Sequence, residues 1–255
     1  MVEKALRLAF DTPEPHGPAV PHDSTNLVES TPSAPDFRGV DTWVFDLDHT
    51  LYTTSPEQDR EMEERICRFV QDHFGIDREP AFQLQKSYLK EHGTTLAGLL
   101  KNHAVDPDAY HDKVNDVEAL GLTPDAELRK GLARLPGKRF VFTNNCGRYA
   151  RAVLEKLGVT DLFHGVIDTH AMNFVPKPRQ EAYATLLAQG QFDPSKAALF
   201  DDSMRNLAPA RAMGMKTVWF NHGLGLSSHF KLDAPEEHVD YETDDLAAFL
   251  NLIRI

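Results

Sequence analysis

"VFDLDHTLY", residues 44–52, decides how the rest of the chain is read. Val44 and Phe45, preceded by Trp43, run straight into Asp46 and Asp48, and Thr50 follows closely. A short all-apolar run of this kind is expected of a central strand in a parallel sheet. Two carboxylates one residue apart repel each other, and buried carboxylates are costly without a cation or a proton between them. The pair is therefore either a solvated strand end or part of a metal site.

Four more apolar runs follow: RFVFT (139–143), GVIDT (165–169), AALFD (197–201) and KTVWF (216–220). Between them, GRYARAVLEKLG places Tyr149, Val153 and Leu157 at helical spacing and stops at Gly158. PRQEAYATLLAQG opens with Pro178 and stops at Gly190, the proline-first, glycine-last asymmetry of helices. Strands alternating with helices predict an α/β fold with a doubly wound parallel sheet. Residues 56–122 break the alternation. EQDREMEERICRFVQDHFG puts Met62, Ile66, Phe69 and Val70 on one face and ends at Gly75, and three shorter helical patterns follow, the last opening with Asp106 as cap and Pro107. That stretch is too long for a simple crossover, so an all-helical cap inserted after the first strand is expected.

The organisation expected is an N-terminal extension over 1–38, an α/β core over 39–55 and 123–255, and the cap over 56–122. Residues 11–38 are rich in Pro, Ser, Thr and His without periodicity, which predicts disorder. The chain has 255 residues, 41% of them hydrophobic, and a formal charge of −12, with a pI near 5.4. This acidity argues against a nucleic-acid or anionic-membrane binder, which needs clustered Lys and Arg. Cys67 and Cys146 have neither metal-ligand spacing nor a disulfide framework, as expected in a reducing compartment. With no membrane-length apolar run, secretory pattern or transit-peptide character, the cytoplasm is the expected location.

Ligands of open α/β sheets bind outside the carboxyl ends of the strands. The first strand brings Asp46 and Asp48 there, the second Thr143, Asn144 and Asn145, and the fourth Asp201, Asp202 and Ser203. Lys177 stands between two prolines after the third. Each element alone has a plainer reading as a turn, a helix cap or a solvated lysine. Together on one rim, they suit a divalent cation and a phosphoryl group. Mg²⁺ takes carboxylate and phosphate oxygens, and a lysine with neutral donors covers the remaining phosphate oxygens. Cys146 is no phosphatase nucleophile, because the arginine required six residues on is Ala152. GLGLS (223–227) is a weak dinucleotide fingerprint lacking its third glycine.

In DLDHT, FTNN, the lysine of PKP and the acids of DDS, the chain resembles the haloacid dehalogenase superfamily over roughly residues 41–222. The resemblance implies an Mg²⁺-dependent phosphomonoesterase with a Rossmann-like core. Asp46 would be the nucleophile that becomes an aspartyl phosphate, and Asp48 the general acid and base. Thr143 and Asn144 would hold phosphoryl oxygens, and Lys177 would neutralise charge. The metal would be held by Asp46, the Asp48 carbonyl and Asp202, with Asp201 as a further or water-mediated ligand. Asp48 favours ester hydrolysis over dehalogenation, because a halide leaves unprotonated, and no basic cluster offers a phosphomutase its second phosphate site. The alternative outside enzymes is a non-catalytic binding module on the same fold.

SYLKEHGTTLAGL (87–99) resembles the cap of the pyrimidine 5′-nucleotidase branch. This implies a small phosphate-ester substrate, namely a pyrimidine nucleoside monophosphate such as UMP or CMP; a sugar phosphate or phosphoglycolate-like ester is the alternative. Tyr88, Lys90 and His92 are the candidate specificity residues in the cap. His92 stands where Tyr is expected and His49 where Asn is commoner. Tyr88 has cap packing as its plainer reading, and His92 a solvated helix end before Gly93.

Overall fold

The computed structural model describes residues 34–221 and 236–255. Its centre is β1 (Thr42–Phe45), the expected apolar run, with all of its residues buried. Trp43 and Phe45 point into one core cluster and Val44 into the other, as the two-residue period of a strand covered on both faces requires. On one side β1 pairs with β2 (Lys138–Phe142), which pairs with β3 (Gly165–Ile167). On the other it pairs with β4 (Ala197–Asp201), followed by β5 (Lys216–Phe220) and β6 (Tyr241–Thr243). The order is β3-β2-β1-β4-β5-β6, every pair parallel. Its direction reverses at β1, which opens a crevice at the carboxyl edge.

Between β1 and β2 lie α1 (Pro56–Phe74), α2 (Arg78–His92), α3 (Thr95–Asn102), α4 (Pro107–Val114) and α5 (Ala126–Arg134). The first four form the expected helical insert around their own cluster, which includes Cys67, Val70, Leu96, Leu99 and Tyr110. Ser55 and Gln58 close a capping box at the start of α1, and Gly75 ends it at φ 63°. Gly98 lets α2 and α3 touch, since a Cβ there would lie 2.4 Å from Cβ and Cγ of Tyr88. The remaining helices, α6 (Gly147–Lys156), α7 (Gln180–Gly190), α8 (Met204–Ala212) and α9 (Leu246–Leu252), cover the sheet faces together with α5.

Several elements differ from expectation. Tyr241–Thr243 form a sixth strand, and α5 and α9 pack together in the core. Helix α7 begins at Gln180, two residues beyond Pro178, and Gln191 rather than Gly190 takes the left-handed position after it. Of the expected N-terminal extension, residues 1–33 lie outside the described residues. Within 34–38, Phe37 is fully buried against Trp43, Phe200, Tyr241 and Phe249, so the packed chain begins before residue 39. The GLGLS stretch also lies outside the described residues. Among the described residues, no helix is long and apolar enough to cross a membrane.

Candidate active site

Because β2, β1 and β4 are neighbours running in one direction, their last residues arrive at one edge. The ladder continues past the strands: the Asp46 N–H donates to the Phe200 carbonyl at 2.8 Å, and the Thr143 N–H to that of Ile167 at 3.0 Å. Lys177, on the loop after β3, reaches the same place. Its Nζ donates to Asp46 Oδ1 at 2.7 Å and to Asp201 Oδ2 at 2.8 Å, and lies 5.1 Å from the centre of the Phe142 ring. Lys177 is 2% exposed, Asp46 7% and Asp201 0%, so one buried cation faces two buried anions.

A third carboxylate joins them. Asp46, Asp201 and Asp202 each offer an oxygen, and these oxygens lie within 4.8 Å of one another. At such separations a pair of like charges costs about 4 kcal/mol at an effective dielectric of 20. Burial raises all three acids above the ordinary carboxylate range. Mutual repulsion adds to this, while Lys177 opposes it. Lys177 itself is held above the usual lysine value: burial disfavours its charge, but Asp201 and Asp46 outweigh that. An all-oxygen cluster with an excess of negative charge fits a hard dication such as Mg²⁺.

The two adjacent acids of DDS are not equivalent. Asp201 Oδ1 accepts from the Ser203 N–H and from Asn206 Nδ2, both at 2.9 Å, and its other oxygen takes Lys177. The Asp202 side chain is half-buried and has no hydrogen bond among the described residues; only its carbonyl is engaged, by Trp219 Nε1 at 2.9 Å. Asp202 thus has free oxygens for a ligand, whereas Asp201 fixes the lysine.

The TNN stretch is divided in a similar way. Thr143 Oγ1 accepts the Asn145 N–H at 3.0 Å, leaving its own proton to donate elsewhere. Asn144 clasps the lysine loop in both directions: its Oδ1 accepts the Lys177 N–H at 2.8 Å, and its Nδ2 donates to the Lys177 carbonyl at 3.3 Å. On the other side of the nucleophile candidate, Asp48 Oδ1 accepts from the Tyr52 hydroxyl, which lies 2.7 Å from that of Tyr149. His49 adopts φ 60°, a left-handed conformation that explains why Asn suits this position, and its ring lies 3.6 Å from Asp59.

A family model for haloacid dehalogenase-like hydrolases matches residues 40–214. The chain belongs to that family. It is 31% identical over 190 residues to phosphate metabolism protein 8 of Saccharomyces cerevisiae, a match covering 68% of this chain and 59% of the yeast protein's length. Among solved structures it is similar to CbbY from Rhodobacter sphaeroides, in complex with phosphate (TM-score 0.56, 19% identity, 84% of this chain and 100% of that one). It is also similar to the HAD-hydrolase YfnB from Bacillus subtilis, bound to magnesium (TM-score 0.51, 17% identity, 85% and 99%). At these identities the structural likeness concerns the fold.

In this haloacid dehalogenase-like hydrolase the three candidate residues of the insert have different surroundings. Tyr88 is buried in the insert's own core, its hydroxyl 2.6 Å from His103 Nε2. Lys90 is exposed. His92 lines a cleft of about 460 Å³ between α3 and core residues Asn173–Pro176. Cys146 is buried, its thiol pushed up by burial. Sequence reading missed Tyr52, Tyr149, Asn206 and Asn115. A tyrosine four residues after Asp48 and an asparagine five after Asp201 are local signals. Nothing in the sequence tied Asn115 to the site.

Proposed function

We propose that this hydrolase is an Mg²⁺-dependent phosphomonoesterase acting through an aspartyl phosphate. The observation that supports it most is the buried Lys177 bridging Asp46 and Asp201 beside the unengaged carboxylate of Asp202. An Asp46 oxygen attacks phosphorus and the ester bond to the leaving oxygen breaks. Asp48 gives that oxygen its proton, and Tyr52 holds the carboxyl in place. Asp48 then takes a proton from the water that attacks the acyl phosphate, which returns Asp46 and releases phosphate. The Thr143 hydroxyl donates to a phosphoryl oxygen. Asn144, with its side chain committed to Lys177, contributes its backbone N–H, and Lys177 offsets charge on both reacting groups. Asp46, the Asp48 carbonyl and Asp202 would hold Mg²⁺, which when bound screens the repulsion between a carboxylate and an anionic phosphate.

The substrate we infer is a pyrimidine nucleoside 5′-monophosphate. The reading rests on the resemblance of residues 87–99 to that nucleotidase branch and on His92 lining the cleft beside the lysine loop. The Mg²⁺ requirement agrees with the oxygen-only cluster, and two free buried thiols agree with a cytoplasmic setting. Phosphate release from UMP, CMP, AMP, GMP, a sugar phosphate and an aryl phosphate, with Mg²⁺ and with chelator, tests both levels. Hydrolysis of none of them refutes the phosphatase. Equal rates on purine and pyrimidine nucleotides, or a sugar phosphate preferred to both, refute the narrower substrate. His92→Ala is expected to change the pyrimidine-to-purine ratio of kcat/KM and to leave the small aryl phosphate unaffected.

A further inference from the structure

The third residue of TNN is bonded to the helical insert. Asn115, which ends α4, donates from Nδ2 to Asn145 Oδ1 at 2.8 Å, and Asn145 Nδ2 donates back to Asn115 Oδ1 at 3.2 Å. A primary amide carries its donor and its acceptor side by side, so each asparagine fits the other at both ends. Asn145 is tied in three further ways. Its Oδ1 accepts the Cys146 N–H at 2.8 Å, its carbonyl accepts the Thr169 N–H at 3.1 Å, and its own N–H holds Thr143 Oγ1.

We infer that Asn115 is a positioning residue for the reaction, acting from the insert through Asn145 on the hydroxyl of Thr143. The inference rests on the phosphomonoesterase reading above. While the amide pair is closed, the Asn145 N–H occupies one lone pair of Thr143 and directs the hydroxyl proton toward the strand-end rim. When the pair opens, Asn145 loses two of the bonds that fix its plane, and the Thr143 proton loses its direction. Asn144, next in the chain, ties the same loop to Lys177, so seating of the insert reaches both phosphate-binding groups. Hydrogen bonds aimed at a developing charge lose most of their effect when displaced by an ångström.

Wild type, Asn115→Ala, Asn145→Ala and the double variant, assayed on a small aryl phosphate with Mg²⁺, test this. Each single variant is expected to lose about ten-fold to a hundred-fold in kcat with KM within about two-fold, and the double variant no more than the worse single. Asp112→Ala is the comparison, because it breaks another insert-to-core contact, the exposed ion pair with Arg148, and is expected to keep kcat. Unchanged kcat in Asn115→Ala, multiplicative losses in the double variant, or an equal loss in Asp112→Ala would each overturn the inference. Asn115→Asp, isosteric and with an acceptor facing Asn145 Oδ1, replaces any variant that fails to fold and is expected to behave alike. If the wild type hydrolyses no phosphate ester, the function fails first. Hydrogen exchange then decides the linkage: the Asn145 and Cys146 amides must exchange faster in Asn115→Ala while β2 and α6 stay unchanged, and equal protection overturns it.

Discussion

Asp201 and Asp202 are chemically identical neighbours with opposite surroundings. Every oxygen of Asp201 is committed to Lys177, Ser203 or Asn206, whereas the Asp202 carboxylate is open. Asp202→Asn is therefore expected to weaken metal affinity, with activity partly recovered at high Mg²⁺. Asp201→Asn is expected to lose activity that Mg²⁺ does not restore, because the lysine is misplaced. Magnesium titrations of the two variants check this, and identical curves would remove the distinction. Under the proposed mechanism Asp46→Asn is expected to keep the fold and to lower kcat by about three orders of magnitude or more, because an amide cannot form the acyl phosphate, read by phosphate release. The identities of these residues were legible because the acids and Thr143 end apolar runs of the right length, and Lys177 stands between two prolines in the loop after the third. Which of the adjacent acids was free was not legible, since it depends on Asn206, brought round by a helix that begins after DDS.

At the scale of elements, the insert and the core meet at α4. His111 is buried there, with Nε2 3.5 Å from Thr169 Oγ1 and its ring centre 6.3 Å from that of His170. Burial, then the His170 and Arg148 charges, lowers its pKa to about 4; Asp108 and Asp168 oppose this. An unfolded histidine titrates near 6.5, so the unfolded chain binds the extra proton first as pH falls. The stabilisation from His111 is complete above about pH 6.5 and is lost as pH falls toward 4, on the order of 3 kcal/mol at most. His111→Gln is expected to lose less Tm between pH 7.5 and 5 than wild type; equal losses would refute the assignment. The insert's helices were legible from caps and spacing. Helix α5 was not, because Gly131 interrupts its pattern. That glycine is a packing requirement, since a Cβ there would lie 2.8 Å from Leu250 Cβ of α9. Strand β6 escaped because it is three residues long, with Glu242 exposed between half-buried Tyr241 and Thr243, and so has no apolar run.

For the molecule as a whole, the start of the packed chain is joined to its end. The Phe37 N–H donates to the Arg254 carbonyl at 2.8 Å, and the Arg254 N–H to that of Pro35 at 2.9 Å. Composition concealed this, since one buried aromatic beside a run of Pro and Ser carries no periodicity. Compared with a chain beginning at Ala34, one beginning at Gly39 loses the Phe37 side chain from the core. It is expected to be less stable by about 3 kcal/mol, a Tm drop of about 10 °C, measured by thermal unfolding. Equal Tm values would show that the aromatic cluster closes without it.

Placing the whole insert between β1 and β2 also sets a clock. The helices of the insert are built from neighbours in sequence, whereas the Lys177–Asp46 contact closes a loop of 131 residues. Local helical contacts form early in folding and distant parallel pairings late, because loop-closure entropy must be met before they reward it. On dilution from urea, far-ultraviolet ellipticity is expected to recover in a fast phase while the chain is still inert. Hydrolysis should return only with the slowest phase, when β4 has docked against β1. Activity regained in step with the fast phase would mean that the rim assembles before the sheet is complete.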